Sequence, residues 1–76
     1  REEAAGLKAL LSAGSFEEIK RIGHKLAGSG GGYGLDRLSD IGRDIESHAA
    51  FSEARALESD IAALTDFLER LEVSYE

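Results

Sequence analysis

The chain has 76 residues, enough for one domain and too few for a second, so residues 1 to 76 are read as a single unit. With 42% hydrophobic and 32% charged residues it is too apolar for a disordered tail, and a net charge of −6 argues against nucleic acid as the main partner. There is no cysteine, which excludes disulfides and thiolate metal sites. No apolar run approaches the ~20 residues that span a bilayer, so a cytoplasmic domain without membrane contact is expected.

The absence of proline, with abundant Ala, Leu, Glu and Arg, points to an all-helical protein. The start at Arg1 rather than methionine suggests a cut-out or processed chain. Residues 2 to 13 place Ala4, Leu7, Leu10 and Leu11 at helical spacing, with glutamates at the start where they suit the helix dipole, which predicts a short first helix. Gly14 ends it. Ser15, followed by Glu18 three residues on, gives a capping-box pattern that opens a second helix.

In that helix Phe16, Ile19, Ile22 and Leu26 form an apolar stripe, with Tyr33 on the same stripe if the helix runs so far. Propensity alone stops it near Ser29, because each of Gly30, Gly31, Gly32 and Gly34 costs about 1 kcal/mol relative to alanine; Tyr33 keeps the apolar register and glycine allows close helix packing, which leaves a continuation to about Tyr33 open. Tyr33 is read as packing and not as functional. Leu35, Leu38, Ile41, Gly42, Ile45 and Ala49 then predict a third amphipathic helix over 35 to 49, with Asp36, Arg37, Asp40, Arg43 and Asp44 on its wet side. Ser52 is the expected N-cap of a fourth, marked by Leu57, Ile61, Leu64, Leu68 and Leu71 to about Val73, with Phe67 widening the stripe. Three long stripes and one short one, joined by brief links, predict an antiparallel up-and-down four-helix bundle.

The stretch Ile19 to Gly34 stands out. All fifteen acidic residues of the chain lie outside 19 to 35, whereas Lys20, Arg21 and Lys25 lie within it, so a positive patch on a negative protein is predicted. At about 100° per residue, His24 falls about 140° from the centre of its apolar stripe and should face water. One turn before it stand Lys20 and Arg21. One turn after it stand Ala27 and Gly28, small enough to leave the imidazole clear for a second macromolecule.

An exposed imidazole offers acid-base transfer, metal ligation or nucleophilic attack. No Ser or Cys nucleophile is paired with His24 by a known motif, and no carboxylate lies within one turn on its own helix. A helical metal site would need a second ligand three or four residues away, and none is there. His48 lies about 70° from the centre of the third stripe and is read as bordering the core. Capture of a phosphoryl group fits better, because the acceptor needs only a placed nucleophile and charge stabilisation. On these residues alone an incidental surface histidine is the commoner explanation.

Through His24, Leu26, Gly28 and Ser29, then Gly34 and Leu35, and on through Leu38, Ser39, Ile45, Glu46 and Ala49, the chain resembles the histidine-containing phosphotransfer (HPt) domain family. The resemblance covers nearly the whole chain. It implies a four-helix bundle in which Nε2 of His24 accepts a phosphoryl group from the aspartyl phosphate of a response-regulator receiver domain and passes it to another receiver. Such a carrier is a transfer module and not a free-standing catalyst, either separate or within a hybrid sensor histidine kinase. It needs no cofactor of its own, since the receiver brings the magnesium ion.

The resemblance further implies that Lys20, Arg21 and Lys25 stabilise the phosphoryl oxygens, and that Ala27, Gly28, Ser29 and Gly31 form the receiver-docking surface. The small residues 28 to 32 would also allow tight helix packing. Many members carry lysine three residues after the histidine, where this chain has Ala27, so Lys25, Lys20 or Arg21 is expected to take over part of that charge. Two other readings stay open: the phosphorylated domain of a chemotaxis-type histidine kinase, and a helical interaction or dimerisation module in which His24 is incidental.

Overall fold

A computed structural model describes the backbone of residues 2–75 and the side chains of residues 5–70. It is all-helical, with α1 over Glu2–Ala13, α2 over Phe16–Gly32, α3 over Asp36–Ala50 and α4 over Ala54–Tyr75, and with no strand among the described residues. α2 therefore continues through the glycines beyond Ser29. Among the described residues no helix is long and apolar enough to cross a membrane.

The three connections are built alike. At each, two backbone N–H groups fold back onto the last turn of the helix just ended, as Gly14 to Leu11 O (3.0 Å) and Ser15 to Leu10 O (2.9 Å) do after α1. Gly34 and Leu35 repeat the pattern onto Gly31 and Gly30, and Ser52 and Glu53 repeat it onto Ala49 and His48. The first residue of each pair must be left-handed, with φ of 72° at Gly14, 72° at Gly34 and 54° at Ser52. Glycine takes that conformation freely; Ser52 takes it at a cost.

Two expected caps differ for this reason. Ser52 closes α3 instead of opening α4, and the carbonyl of Glu53 accepts the N–H of Leu57 at 3.0 Å. Ser15 does sit at the N-cap of α2, and its carbonyl accepts the N–H of Ile19 at 3.2 Å, but its hydroxyl makes no cap bond. Its N–H is already turned back to Leu10, which sets its backbone at φ −85° and ψ 64°.

Each helix packs against its neighbours in the chain, and α1 closes on α4. The stripes meet in a core that includes Leu7, Ile19, Ile45, Leu57, Ile61 and Leu64, each almost wholly shielded from water. Burying one such side chain stabilises the fold by about 1.5–3 kcal/mol. Ala4 and Leu71, placed on the stripes by their spacing, and Val73 lie outside the residues whose side chains are described. Tyr33 does not join the core and is 80% exposed. The helix ends at Gly32, and the last turn of α2 meets the backbone of the following connection at Gly30, so the stripe has nothing to cover at Tyr33.

α2 and α3 approach most closely, and three glycines permit it. A Cβ on Gly42 would lie 2.5 Å from Ala27 N and 2.8 Å from Gly23 O. On Gly23 it would lie 2.7 Å from Glu46 N, and on Gly30 it would lie 2.5 Å from Ser39 N. Position rises along α2 as it falls along α3. The expectation that residues 28 to 32 serve packing holds only for Gly30. Gly28, Gly31 and Gly32 have open space where a Cβ would be.

Candidate functional site

His24 follows directly on Gly23, one of the glycines that bring α2 onto α3. With the backbones this close, a side chain one step round α2 stands on the rim of the groove, and the His24 side chain is 77% exposed. The rim of α3 supplies its partner: Oε2 of Glu46 lies 3.2 Å from Nδ1 of His24. A carboxylate only accepts, so Nδ1 is the donor in this pair, and in the neutral ring that tautomer leaves the lone pair on Nε2.

A shallow depression beside the ring is lined by Glu17, Lys20, Arg21, His24 and Glu46. Lys20 and Arg21 are thus brought to His24. Lys25 lines a neighbouring depression with Glu18, Arg21 and Ile22. The acid-free stretch in the sequence does not make an acid-free surface, because Glu17 lies just before it on α2 and Glu46 reaches in from α3.

Beyond His24, Gly28, Ser29 and Gly31 are exposed, and Gly28 and Gly31 have open space around them. Ala27 is half-buried, since its backbone lies against Gly42 and its carbonyl accepts the Ser39 hydroxyl at 3.0 Å. Ser39 in turn accepts from Nη2 of Arg43 at 3.2 Å. Glu46, Ser39 and Arg43 all come from α3, and inspection of the His24 helix alone does not find them. The signal available was the α3 segment of the resemblance, which includes Ser39 and Glu46.

His48 lies at the far end of α3 and takes no part in this site. Its Nδ1 is 2.5 Å from Asp60 Oδ2 on α4 and its Nε2 is 4.0 Å from Glu53, with the side chain 30% exposed. The hydrogen bond to Asp60 raises its pKa from 6.5, aided by the charges of Asp60, Glu53 and Asp44, while burial acts the other way. Among the described residues, no group of three or more histidine, aspartate or glutamate side chains is placed to hold a metal ion.

The family model described as the Hpt domain matches residues 1–74 of the chain. No curated protein and no solved structure matches it.

Proposed function

The chain belongs to the Hpt domain family, and on that premise we propose that it is a phosphorelay carrier whose acceptor is His24. Hpt domains serve phosphotransfer in phosphorelays and interact with receiver domains. The single observation that supports His24 as the acceptor is its pairing with Glu46, which leaves Nε2 exposed with a free lone pair. In the proposed transfer that lone pair attacks the phosphorus of a receiver aspartyl phosphate. The N–P bond forms as the P–O bond to the aspartate breaks, and the carboxylate leaves with the bonding pair.

The ring keeps its Nδ1 hydrogen and becomes cationic, facing the carboxylate of Glu46. The receiver brings the aspartate and its magnesium ion, and the reverse sequence hands the phosphoryl group to a second receiver. Gly28, Ser29 and Gly31, with the exposed edge of Ala27, form the docking surface, where the absence of side chains at the glycines leaves the approach to Nε2 clear. Lys20 and Arg21 attract the phosphoryl group from the N-terminal side; Lys25 contributes only to the general field. An antiparallel up-and-down order of the helices belongs to the same proposal, and the closure of α1 on α4 supports it. A cytoplasmic location is also part of the proposal.

Intact-protein mass measurement after mixing with a phosphorylated receiver and magnesium tests the assignment. An acid-labile gain of one phosphoryl group is expected in the wild type and none in His24→Gln. A gain that persists in the variant refutes His24 as the acceptor.

A further inference from the structure

We propose that Arg43 of α3 supplies the positive charge that holds the phosphoryl group on its C-terminal side, where α2 itself offers only Ala27 and Gly28. The inference rests on His24 being the phosphoryl acceptor.

Three observations place Arg43 there. First, it shares a rim with the acceptor. The facing line of α2 runs through Gly23, Ala27 and Gly30, and that of α3 through Ser39 and Gly42. His24 stands one residue round from Gly23, and Arg43 one residue round from Gly42, about 100° in each case. Which side each takes is fixed by Glu46: it lies one turn from Arg43 on α3 and bonds His24 across the groove at 3.2 Å.

Second, the guanidinium is tethered to the turn of α2 that follows His24. Nη2 donates to Ser39 Oγ at 3.2 Å, and Ser39 Oγ donates to the carbonyl of Ala27 at 3.0 Å. The charge is therefore two hydrogen bonds from position 27. Third, it is free to turn toward a new anion. The Arg43 side chain is 68% exposed, and its other partner is Asp40, at 3.3 Å and 70% exposed. An ion pair so open to water is weak and exchanges readily.

The chemistry suits the task. A guanidinium presents a planar fork of donors that matches two oxygens of a phosphoryl group. Lys20 and Arg21 line the depression on one side of the ring, together with Glu17 and Glu46, so Arg43 adds a cation on the other side of Nε2. When the N–P bond forms and the aspartyl P–O bond breaks, the three phosphoryl oxygens keep their negative charge. Arg43 then donates N–H to two of them while Glu46 faces the cationic ring.

The test compares wild type, Arg43→Ala, Arg43→Lys and His24→Gln, with a phosphorylated receiver and, separately, with phosphoramidate as a small donor that needs no docking. Phosphohistidine is followed by phosphorus NMR over a pH series. In Arg43→Ala the phosphorylation rate is expected to fall about tenfold with both donors, the equivalent of one charge-assisted hydrogen bond at about 1.4 kcal/mol. The phosphoryl resonance should also titrate at higher pH, because a neighbouring cation favours the dianion; Arg43→Lys should recover part of both effects. A merely structural role would leave the phosphoryl titration in place.

Wild-type rate and titration in Arg43→Ala, with His24 still phosphorylated, overturn the proposal for Arg43 alone. No phosphohistidine in the wild type with either donor removes the carrier function and this inference together. Melting of Arg43→Ala at the wild-type temperature checks that the fold is intact.

Discussion

Replacing Gly42 by alanine should destabilise the domain, whereas the same replacement at Gly28 should stabilise it. Both lie within helices, so each gains up to about 1 kcal/mol of helix propensity. At Gly42 the new methyl would sit 2.5 Å from Ala27 N, 2.8 Å from Gly23 O and 3.0 Å from Ala27 Cα, whereas ordinary contact begins at 3.4 Å. All three are backbone atoms, so no side chain can turn aside, and α2 and α3 must part by about 1 Å. Overpacking of this kind costs about 1–3 kcal/mol, and a clash with backbone belongs near the top of that range. A net loss of about 2 kcal/mol follows, or about 10 °C in melting temperature for a domain of this size. At Gly28 nothing lies within 4 Å, and the propensity gain should raise the melting temperature by about 5 °C. Thermal unfolding followed by circular dichroism gives both numbers. A Gly42→Ala protein that melts at or above the wild-type temperature would refute the close approach of the two backbones.

Ser52→Gly should stabilise the domain by up to about 1 kcal/mol, since Ser52 holds a left-handed conformation at φ 54° that glycine adopts without strain; an unchanged urea midpoint would count against the α3–α4 turn described above. The pKa of His48 is raised in the folded state, above all by its hydrogen bond to Asp60, so its contribution to stability is fully present below pH 6.5. That contribution is lost as the pH rises through the higher folded value. Urea unfolding at a series of pH values should show this decline in the wild type and not in His48→Gln, and stability that rises with pH through that window in the wild type alone would contradict the His48–Asp60 contact.

The helices were legible because their signals are local. Spacing gave Leu7, Ile19, Ile45, Leu57 and Leu64 as core, and Gly14 as the end of α1. The caps were less legible, because serine serves both as an N-cap and, more rarely, as a left-handed terminator. Nothing near Ser52 says which role it plays until the backbone of α3 is seen turning back onto Ala49 and His48. Tyr33 was misplaced for a related reason: periodicity extends a stripe without knowing where the opposing element stops. The run of glycines misled in the same way, since composition marks the segment as small but cannot say that Gly30 faces α3 while Gly28 and Gly31 face water.

The site was half legible because its two halves lie on different helices. Rotation about α2 puts His24 in water and Lys20 and Arg21 beside it, but no wheel drawn on α2 contains Glu46, Ser39 or Arg43. These arrive through the contact of Gly23 and Ala27 with Gly42, which shortens the distance between the helices until their rim residues touch. The closeness that allows Glu46 to orient His24 is therefore the same closeness that a methyl group at Gly42 would destroy. If His24 is the acceptor, as proposed, stability and reactivity are coupled at this interface, and Gly42→Ala should slow phosphorylation of His24 by more than its loss of folded protein explains. Gly28→Ala lies on the open side of the helix and leaves that coupling untouched, so donation by phosphoramidate, which needs no docking, should proceed there at the wild-type rate.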